Sequence, residues 1–143
     1  MDTRTEQNKQ LYRRFLDEVF NQGRMETADE LLSSSYVFHD APPGAPKEGP
    51  KAVKQAASTF RGAFPDLKIS IEELVAEGDK VCVRATTRGT HRGTIFGIPA
   101  TGRTVSVTGL TMVRIADGQI TDSWVKNDVV ALVSQLGASS LPR

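Results

Sequence analysis

A change in hydrophobic periodicity near residue 67 constrains the fold of this 143-residue chain more than any other sequence feature. Before that point apolar residues recur every three or four positions, as they do along one face of an amphipathic helix. After it apolar and polar residues alternate, which is typical of half-buried strands. Helices followed by an antiparallel run of strands predict an α+β domain in which the helices cover one face of the sheet.

The helical part predicts three helices. The first covers residues 7–21 and ends at Asn-Gln-Gly, the second is short and runs from Met25 to Leu32, and the third covers about residues 51–63. Between the second and third helices, Tyr36 to His39 has the pattern of a short strand. A loop rich in proline and glycine follows it. The chain therefore begins with a helical hairpin.

The remaining sequence predicts four antiparallel strands and a short final helix over residues 129–136. Turn signals at residues 77–80 join the first of these strands to the second, and those at residues 116–118 join the third to the fourth. The strand at 104–115 carries small or apolar residues on both of its alternating faces, so we expect it to be covered on both sides. The helices would supply one cover and a second subunit the other, which predicts a homodimer.

The composition of the chain argues against several classes of binding partner. Eighteen basic residues against seventeen acidic ones give no field that would recruit nucleic acid or a membrane surface. The polar amino terminus and the absence of a long apolar run predict a soluble, cytoplasmic protein, with residues 1–143 forming a single domain. One cysteine and two histidines, without any pair at metal-ligand spacing, predict that no metal is bound.

The stretch "THRGTIFGIPATGR", residues 90–103, raises the question of a phosphate-binding loop. Such a loop needs a helix whose amino terminus faces the anion, but this stretch lies between two predicted strands. A wide hairpin loop is therefore favoured over an anion site. Its apolar residues Ile95, Phe96 and Ile98 are unusual in an exposed turn, and predict packing as a lip over a pocket or in a dimer contact.

The last predicted strand contains candidates for acid and base catalysis. Strand alternation puts Asp122, Trp124 and Lys126 on one face, with Asp128 in phase if the strand continues that far. A carboxylate in a dry pocket beside an aromatic wall suits a general base. Asp128 also stands where an N-cap would begin the final helix, as does Asn127. Both roles are compatible if Asn127 caps the helix while Asp128 points inward.

Three other residues are candidates for a site, each with a structural alternative. His39 ends the short strand and His91 opens the glycine-rich loop, and either could move protons or donate to an oxyanion. A histidine at a strand end is also a common structural residue. Tyr12 lies in the apolar face of the first helix. It is either a residue of the hydrophobic core or a residue whose hydroxyl group reaches a cavity. No nucleophile elbow is present, so covalent catalysis has no support.

Four stretches of the sequence carry a family resemblance. The chain resembles the SnoaL-like polyketide cyclases, often labelled ester cyclases, in "EVFNQG" (18–23), "YVFHD" (36–40), the stretch from "FPDLKI" to "GRTV" (64–105) and "VRIADGQITDSWVKND" (113–128). This resemblance implies a nuclear-transport-factor-2-like fold, in which a strongly curved antiparallel sheet and helices form a cone around an apolar pocket. It also implies a dimer.

The resemblance further implies a cofactor-independent intramolecular aldol condensation. The aspartate four residues after the tryptophan of the last strand, here Asp128, would act as acid and base. His39 would be a polar pocket residue, His91 and Phe96 would lie near the pocket mouth, and Trp124 would form a wall. Many relatives carry a histidine directly before the tryptophan, where this chain has Ser123.

The leading hypothesis is therefore an enzyme that closes a ring in a small hydrophobic or polyketide-like molecule. Two alternatives use the same pocket. One is a noncatalytic ligand-binding module, and the other is an isomerase, a dehydratase or an epoxide hydrolase on the same scaffold. An additional carboxylate inside the cavity, or an arginine paired with Asp128 there, would favour the epoxide hydrolase.

Overall fold

The computed structural model describes residues 3–137, which form four α-helices, one π-helical segment and five strands. The helices are α1 (Thr3–Phe15), which continues as a π-helical segment over Leu16–Asn21, α2 (Met25–Leu31), α3 (Pro50–Ala63) and α4 (Val129–Gln135). The strands are β1 (Leu32–Phe38), β2 (Lys68–Glu77), β3 (Lys80–Thr90), β4 (Thr104–Ala116) and β5 (Gln119–Asn127). The predicted α+β order of helices before strands is confirmed.

The five strands form one mixed sheet in the order β1-β5-β4-β3-β2. Strands β2 to β5 pair antiparallel, as predicted, but β1 pairs parallel to β5 at the sheet edge. The four predicted antiparallel strands are therefore confirmed, and the parallel pairing of β1 makes the sheet as a whole mixed. Strand β1 also begins at Leu32, four residues before the predicted start at Tyr36, because Ser33 to Ser35 lack the apolar alternation that marks a strand.

Tight turns join the long strands. Ala116 pairs with Gln119 across β4 and β5, and the two residues between them, Asp117 and Gly118, have φ of 52° and 75°. Positive φ at both central positions is the signature of a type I′ hairpin. Register shifts with extra residues in β1, β2 and β5 interrupt the ladders. Because bulges increase local bending and twist, these shifts help the sheet to curve around the helices.

The helices pack against the inner face of the sheet. The main core cluster joins α1, the π-helical segment, α2, α3 and the inward side chains of the strands, including Val19, Ala57, Val81 and Val113. Strand alternation places every second side chain on the opposite, outer face of the sheet. Val75, Cys82, Met112 and Trp124 follow one another in register across four strands, and we call them the outer row. Val75 is 62% exposed.

Candidate functional site

An inner chamber of about 140 Å³ lies between α1, the π-helical segment, α3 and the inner face of the sheet. Its walls are mostly aliphatic and aromatic side chains. Five lining residues carry polar side chains, and they are Tyr12, Tyr36, Thr111, Ser123 and Asn127. A protein cavity of about 150 Å³ accommodates one benzene molecule, so the inner chamber has room for one ring.

Neutral hydroxyl groups supply the hydrogen-bonding capacity deep in the inner chamber. Tyr36 and Ser123 are 2% and 5% exposed, and their hydroxyls hydrogen-bond to each other. Burial raises the pKa of Tyr36 to about 12, and it also raises that of Tyr12, whose hydroxyl bonds with Thr111. Both tyrosines therefore stay protonated near neutral pH and can donate hydrogen bonds.

A wider vestibule of about 580 Å³ adjoins the inner chamber. The two cavities share five lining residues, Phe38, Ala56, Phe60, Val125 and Asn127, which we call the neck. Asn127 is the one neck residue with a polar side chain. Beyond the neck the vestibule is lined by proline and alanine residues of the loop after β1, by Gln55 and Thr59 of α3, and by Asp40, Lys126 and Phe96.

Asp40 contributes a carboxylate to the vestibule, but hydrogen bonds occupy both of its oxygens. The backbone N–H of Val125 donates to Oδ2 at 2.8 Å, and Lys126 Nζ donates to Oδ1 at 2.9 Å. The bond from Lys126 is the main reason that the pKa of Asp40 is lowered. Asp40 is therefore ionised near neutral pH, and it ties the loop after β1 to β5.

Asp128 is the N-cap of α4. Its Oδ1 accepts the backbone N–H of Ala131 at 2.9 Å, while Oδ2 has no partner within residues 3–137. Asn127 and Val129 on either side line the vestibule, whereas Asp128 is exposed and lies outside both lining sets. The predicted N-cap role of Asp128 is therefore confirmed, whereas the alternative in which Asn127 caps the helix and Asp128 points inward is wrong.

His39 and Trp124 lie on the outer face of the sheet, which corrects their expected placement in the pocket. Their rings stack with centroids 4.6 Å apart and planes 2° from parallel, and His39 Nε2 lies 2.9 Å from Asp122 Oδ2. Partial burial would raise the pKa of Asp122, but the bonds from His39 and Thr121 lower it overall. Because alternation points Ser123 and Val125 into the inner chamber, Trp124 between them must point away.

His91 is fully buried at the base of the glycine-rich loop, and within the described part of the chain it lines neither cavity. Its Nδ1 accepts the backbone N–H of Thr101 at 3.2 Å and lies 2.9 Å from the hydroxyl of the same residue. The ring also packs against Phe64. These contacts give His91 a structural role in closing the loop, so its expected place at the pocket mouth is corrected.

The tip of the same loop does reach the vestibule. Ile95 and Ile98 exchange two backbone hydrogen bonds around Phe96 and Gly97, whose φ values are 51° and 74°. The tip is thus a two-residue hairpin of the type I′ form. Ile95 is buried, and both Ile95 and Phe96 line the vestibule. The predicted hairpin loop is present, and the contribution of Phe96 to ligand binding stays a prediction.

Sequence reasoning missed Tyr36, Ser123 and Asn127 as residues of the cavity. A signal for Asn127 was present in Gly109, because a glycine inside a strand marks the close approach of another group. Gly109 pairs with Asn127 in the sheet. Tyr36 and Ser123 gave no comparable signal, since a tyrosine and a serine in strands are ordinary residues.

Within residues 3–137, no helix is long and apolar enough to cross a membrane. The same part of the chain contains no group of three or more histidine, cysteine, aspartate or glutamate side chains placed to hold a metal ion.

The SnoaL-like polyketide cyclase family matches residues 10–136, which include every residue that lines the inner chamber. The chain belongs to this family. Among its curated relatives is the aklanonic acid methyl ester cyclase DnrD of Streptomyces peucetius, 32% identical over 123 residues that cover 84% of each chain. The nogalonic acid methyl ester cyclase of Streptomyces nogalater is 31% identical over 83% of this chain and 90% of its own.

Solved structures agree with the family assignment. TsrD from Streptomyces laurentii superposes with a TM-score of 0.85 at 32% identity, covering 96% of this chain and 98% of its own. The fold is therefore the nuclear-transport-factor-2-like fold of the SnoaL-like cyclases, as the resemblance implied.

Proposed function

We propose that this SnoaL-like protein closes a ring in a polyketide-like small molecule by an intramolecular aldol reaction. The observation that carries the proposal is the two-part cavity, with an apolar chamber of ring size, a neck and a wider vestibule. A cavity of this shape can fold a flexible chain so that its two reacting carbons meet, which is the main requirement for an intramolecular reaction. The names of the curated cyclase relatives support the same reaction class.

The proposed chemistry needs one base and one acid. A carboxylate removes a proton from a carbon next to a carbonyl group, and the enolate then attacks the carbon of a second carbonyl. One carbon–carbon bond forms, and the oxygen of the attacked carbonyl takes a proton to become a hydroxyl. Because no electrons are gained or lost overall, the reaction requires neither a redox cofactor nor an oxidant.

We assign the base to Asp128. Its Oδ2 is free within the described residues, whereas both oxygens of Asp40, the vestibule carboxylate, accept hydrogen bonds. Asp128 also follows Asn127 of the neck directly in the chain. In this proposal the cap bond at Oδ1 fixes the carboxylate, and Oδ2 reaches a substrate that fills the vestibule. Tyr12 contacts the ring in the inner chamber and Phe96 covers the rest of the substrate.

The epoxide hydrolase alternative gains little support from the cavities, because the additional carboxylate in the vestibule, that of Asp40, already accepts hydrogen bonds at both oxygens. That reaction would be favoured by an arginine paired with the catalytic aspartate inside the pocket. Within residues 3–137, neither the inner chamber nor the vestibule is lined by an arginine, and Asp128 forms no ion pair.

The experiment compares three aspartate variants on aklanonic acid methyl ester and nogalonic acid methyl ester, with ring closure followed by liquid chromatography. Asp128→Asn keeps the capping oxygen but removes the base, so we expect kcat to fall at least about 100-fold. Asp66→Asn is a matched control, because Asp66 also accepts a backbone N–H, that of Thr90, away from both cavities. Its kcat should stay within about threefold of the parent value.

Two results would contradict the proposal. If Asp128→Asn keeps parental turnover while Asp40→Asn loses it, the base is Asp40. If the parent binds both esters but converts neither, and binding is unchanged in Asp128→Asn, the noncatalytic ligand-binding alternative is favoured.

We also propose that the protein is a homodimer that pairs through the outer face of the sheet. Leu110 is 56% exposed on this face and lies beside the outer row. Exposed apolar side chains in register across several strands are typical of an interaction surface. A second copy would supply the cover that both faces of β4 are predicted to have.

A further inference from the structure

Asn127 contributes a free side-chain amide to the neck, and Gly109 on the neighbouring strand makes room for that amide. Of the five neck residues only Asn127 can donate a side-chain hydrogen bond, and its side chain makes none within residues 3–137. It is also accessible to solvent. Any substrate that occupies both the inner chamber and the vestibule must therefore pass this amide.

Gly109 determines where that amide lies. A Cβ atom built on Gly109 would lie under 3.0 Å from Oδ1 of Asn127 and 3.2 Å from its Cγ. Ordinary carbon atoms do not approach so closely, so an alanine at this position would displace the Asn127 side chain. The φ of Gly109 is outside the left-handed region, so the backbone conformation does not itself require glycine.

A glycine in the middle of a strand costs stability, because it restricts a flexible backbone and packs no side chain. Gly109 is the sixth residue of the thirteen in β4. The space that it leaves is filled by Asn127 on the neighbouring strand. Close approach to the Asn127 amide therefore explains why glycine stands at this position.

We infer that Asn127 is a catalytic residue that donates a hydrogen bond to the enolate oxygen, and that Gly109 is the positioning residue that holds it. The inference rests on the proposed aldol function. When Asp128 removes the proton, negative charge moves to the carbonyl oxygen, and a neutral amide already in place stabilises it. Asn127 precedes Asp128 directly in the chain, so donor and base reach the same end of the substrate.

The first test replaces the donor. Asn127→Leu keeps the size and branching of the side chain but removes both N–H donors. We expect kcat to fall about 100-fold, the effect of removing one oxyanion donor, with KM changed less than about threefold. A melting temperature equal to the parent value will show that the fold is intact. Parental kcat in Asn127→Leu would overturn the inference.

The second test separates positioning from simple blockage of the chamber. Gly109→Ala should lower kcat as much as Asn127→Ala does, because each variant removes the correctly placed amide. The double variant should be no slower than Asn127→Ala within about threefold. If Gly109→Ala costs as much in the Asn127→Ala background as in the parent, its methyl group acts directly on the substrate and the positioning role is wrong.

A third test does not depend on turnover. 4-Nitrophenolate is a ring-sized, stable analogue of an enolate, and its oxygen should accept the Asn127 amide. Its addition should shift the side-chain amide signals that Asn127→Ala lacks in the nitrogen-15 correlation spectrum. Unmoved signals during saturable binding would overturn the inference. Lost turnover in Asp128→Asn together with parental turnover in Asn127→Leu would do so as well, while leaving the proposed function intact.

Discussion

The buried hydroxyls of Tyr36 and Ser123 should behave as one unit during unfolding. They bond to each other in a chamber whose other walls are largely apolar. Removing one partner leaves a buried polar group unsatisfied, which costs about 1–3 kcal/mol, whereas removing both partners at once costs less than the two single losses together. The prediction is therefore strong coupling between Tyr36→Phe and Ser123→Ala.

The magnitudes differ between the two single variants. Ser123→Ala leaves the Tyr36 hydroxyl, on a residue 2% exposed, without its partner, so we expect a loss of about 2 kcal/mol in the free energy of unfolding. Tyr36→Phe leaves the smaller Ser123 hydroxyl, which can turn toward a backbone carbonyl, and should cost about 1 kcal/mol. The double variant should cost about 1 kcal/mol instead of their sum, about 3 kcal/mol.

Urea unfolding measured on the four proteins gives the coupling free energy directly, provided that the urea dependence of unfolding is the same in all four. We expect about 2 kcal/mol of coupling. Phenol binding is a second measurement of the same pair. The parent chamber can donate a hydrogen bond to phenol from Tyr36 or Ser123, whereas the double variant lacks both hydroxyls. Additive losses of stability would refute the reasoning, because they would mean that water or backbone groups already satisfy each hydroxyl separately.

Two further predictions concern the tyrosines and the outer face. The chain has two tyrosines, both in the inner chamber, so tyrosinate absorbance should not rise near pH 10 as in a free tyrosine. Because the folded pKa of Tyr36 is raised to about 12, its contribution to stability is fully present below pH 10 and is lost between pH 10 and 12, by about 1.4 kcal/mol per pH unit. A gradual tyrosinate transition near pH 10 in the folded protein, seen by absorbance and circular dichroism together, would contradict the burial. Leu110→Glu should convert the proposed dimer to a monomer in light scattering after size exclusion, since it places a charge on the exposed leucine of the outer face. An unchanged dimer would place the interface elsewhere.

The order and type of most elements could be predicted from the sequence because they depend on local periodicity. Three helices followed by four long strands are confirmed with ends shifted by a few residues. The parallel pairing of β1 with β5 could not be predicted in the same way, because it depends on where the chain returns after α2. The length of β1 could not be predicted either, because Ser33 to Ser35 lie at the sheet edge and show no alternation of apolar and polar residues.

The site was harder to predict because alternation shows which residues share a face and not which face is enclosed. In β5 one face carries Asp122 and Trp124, and the other carries Ser123 and Val125. A tryptophan favours the inside by its apolar area, which supported the wrong choice. In the structure Trp124 stacks on His39 and belongs to the outer row, so its area is partly covered without entering the pocket.

The distribution of charge across the site indicates where proton transfer takes place. The polar side chains of the inner chamber are four hydroxyls and one amide, all of them neutral near pH 7. Ionised side chains begin at the vestibule with Asp40 and Lys126. Burying an unpaired charge is costly, so an enolate is better stabilised at the neck than in the chamber. The ring in the chamber would therefore be the passive end of the substrate, and the new bond would form beside Asn127.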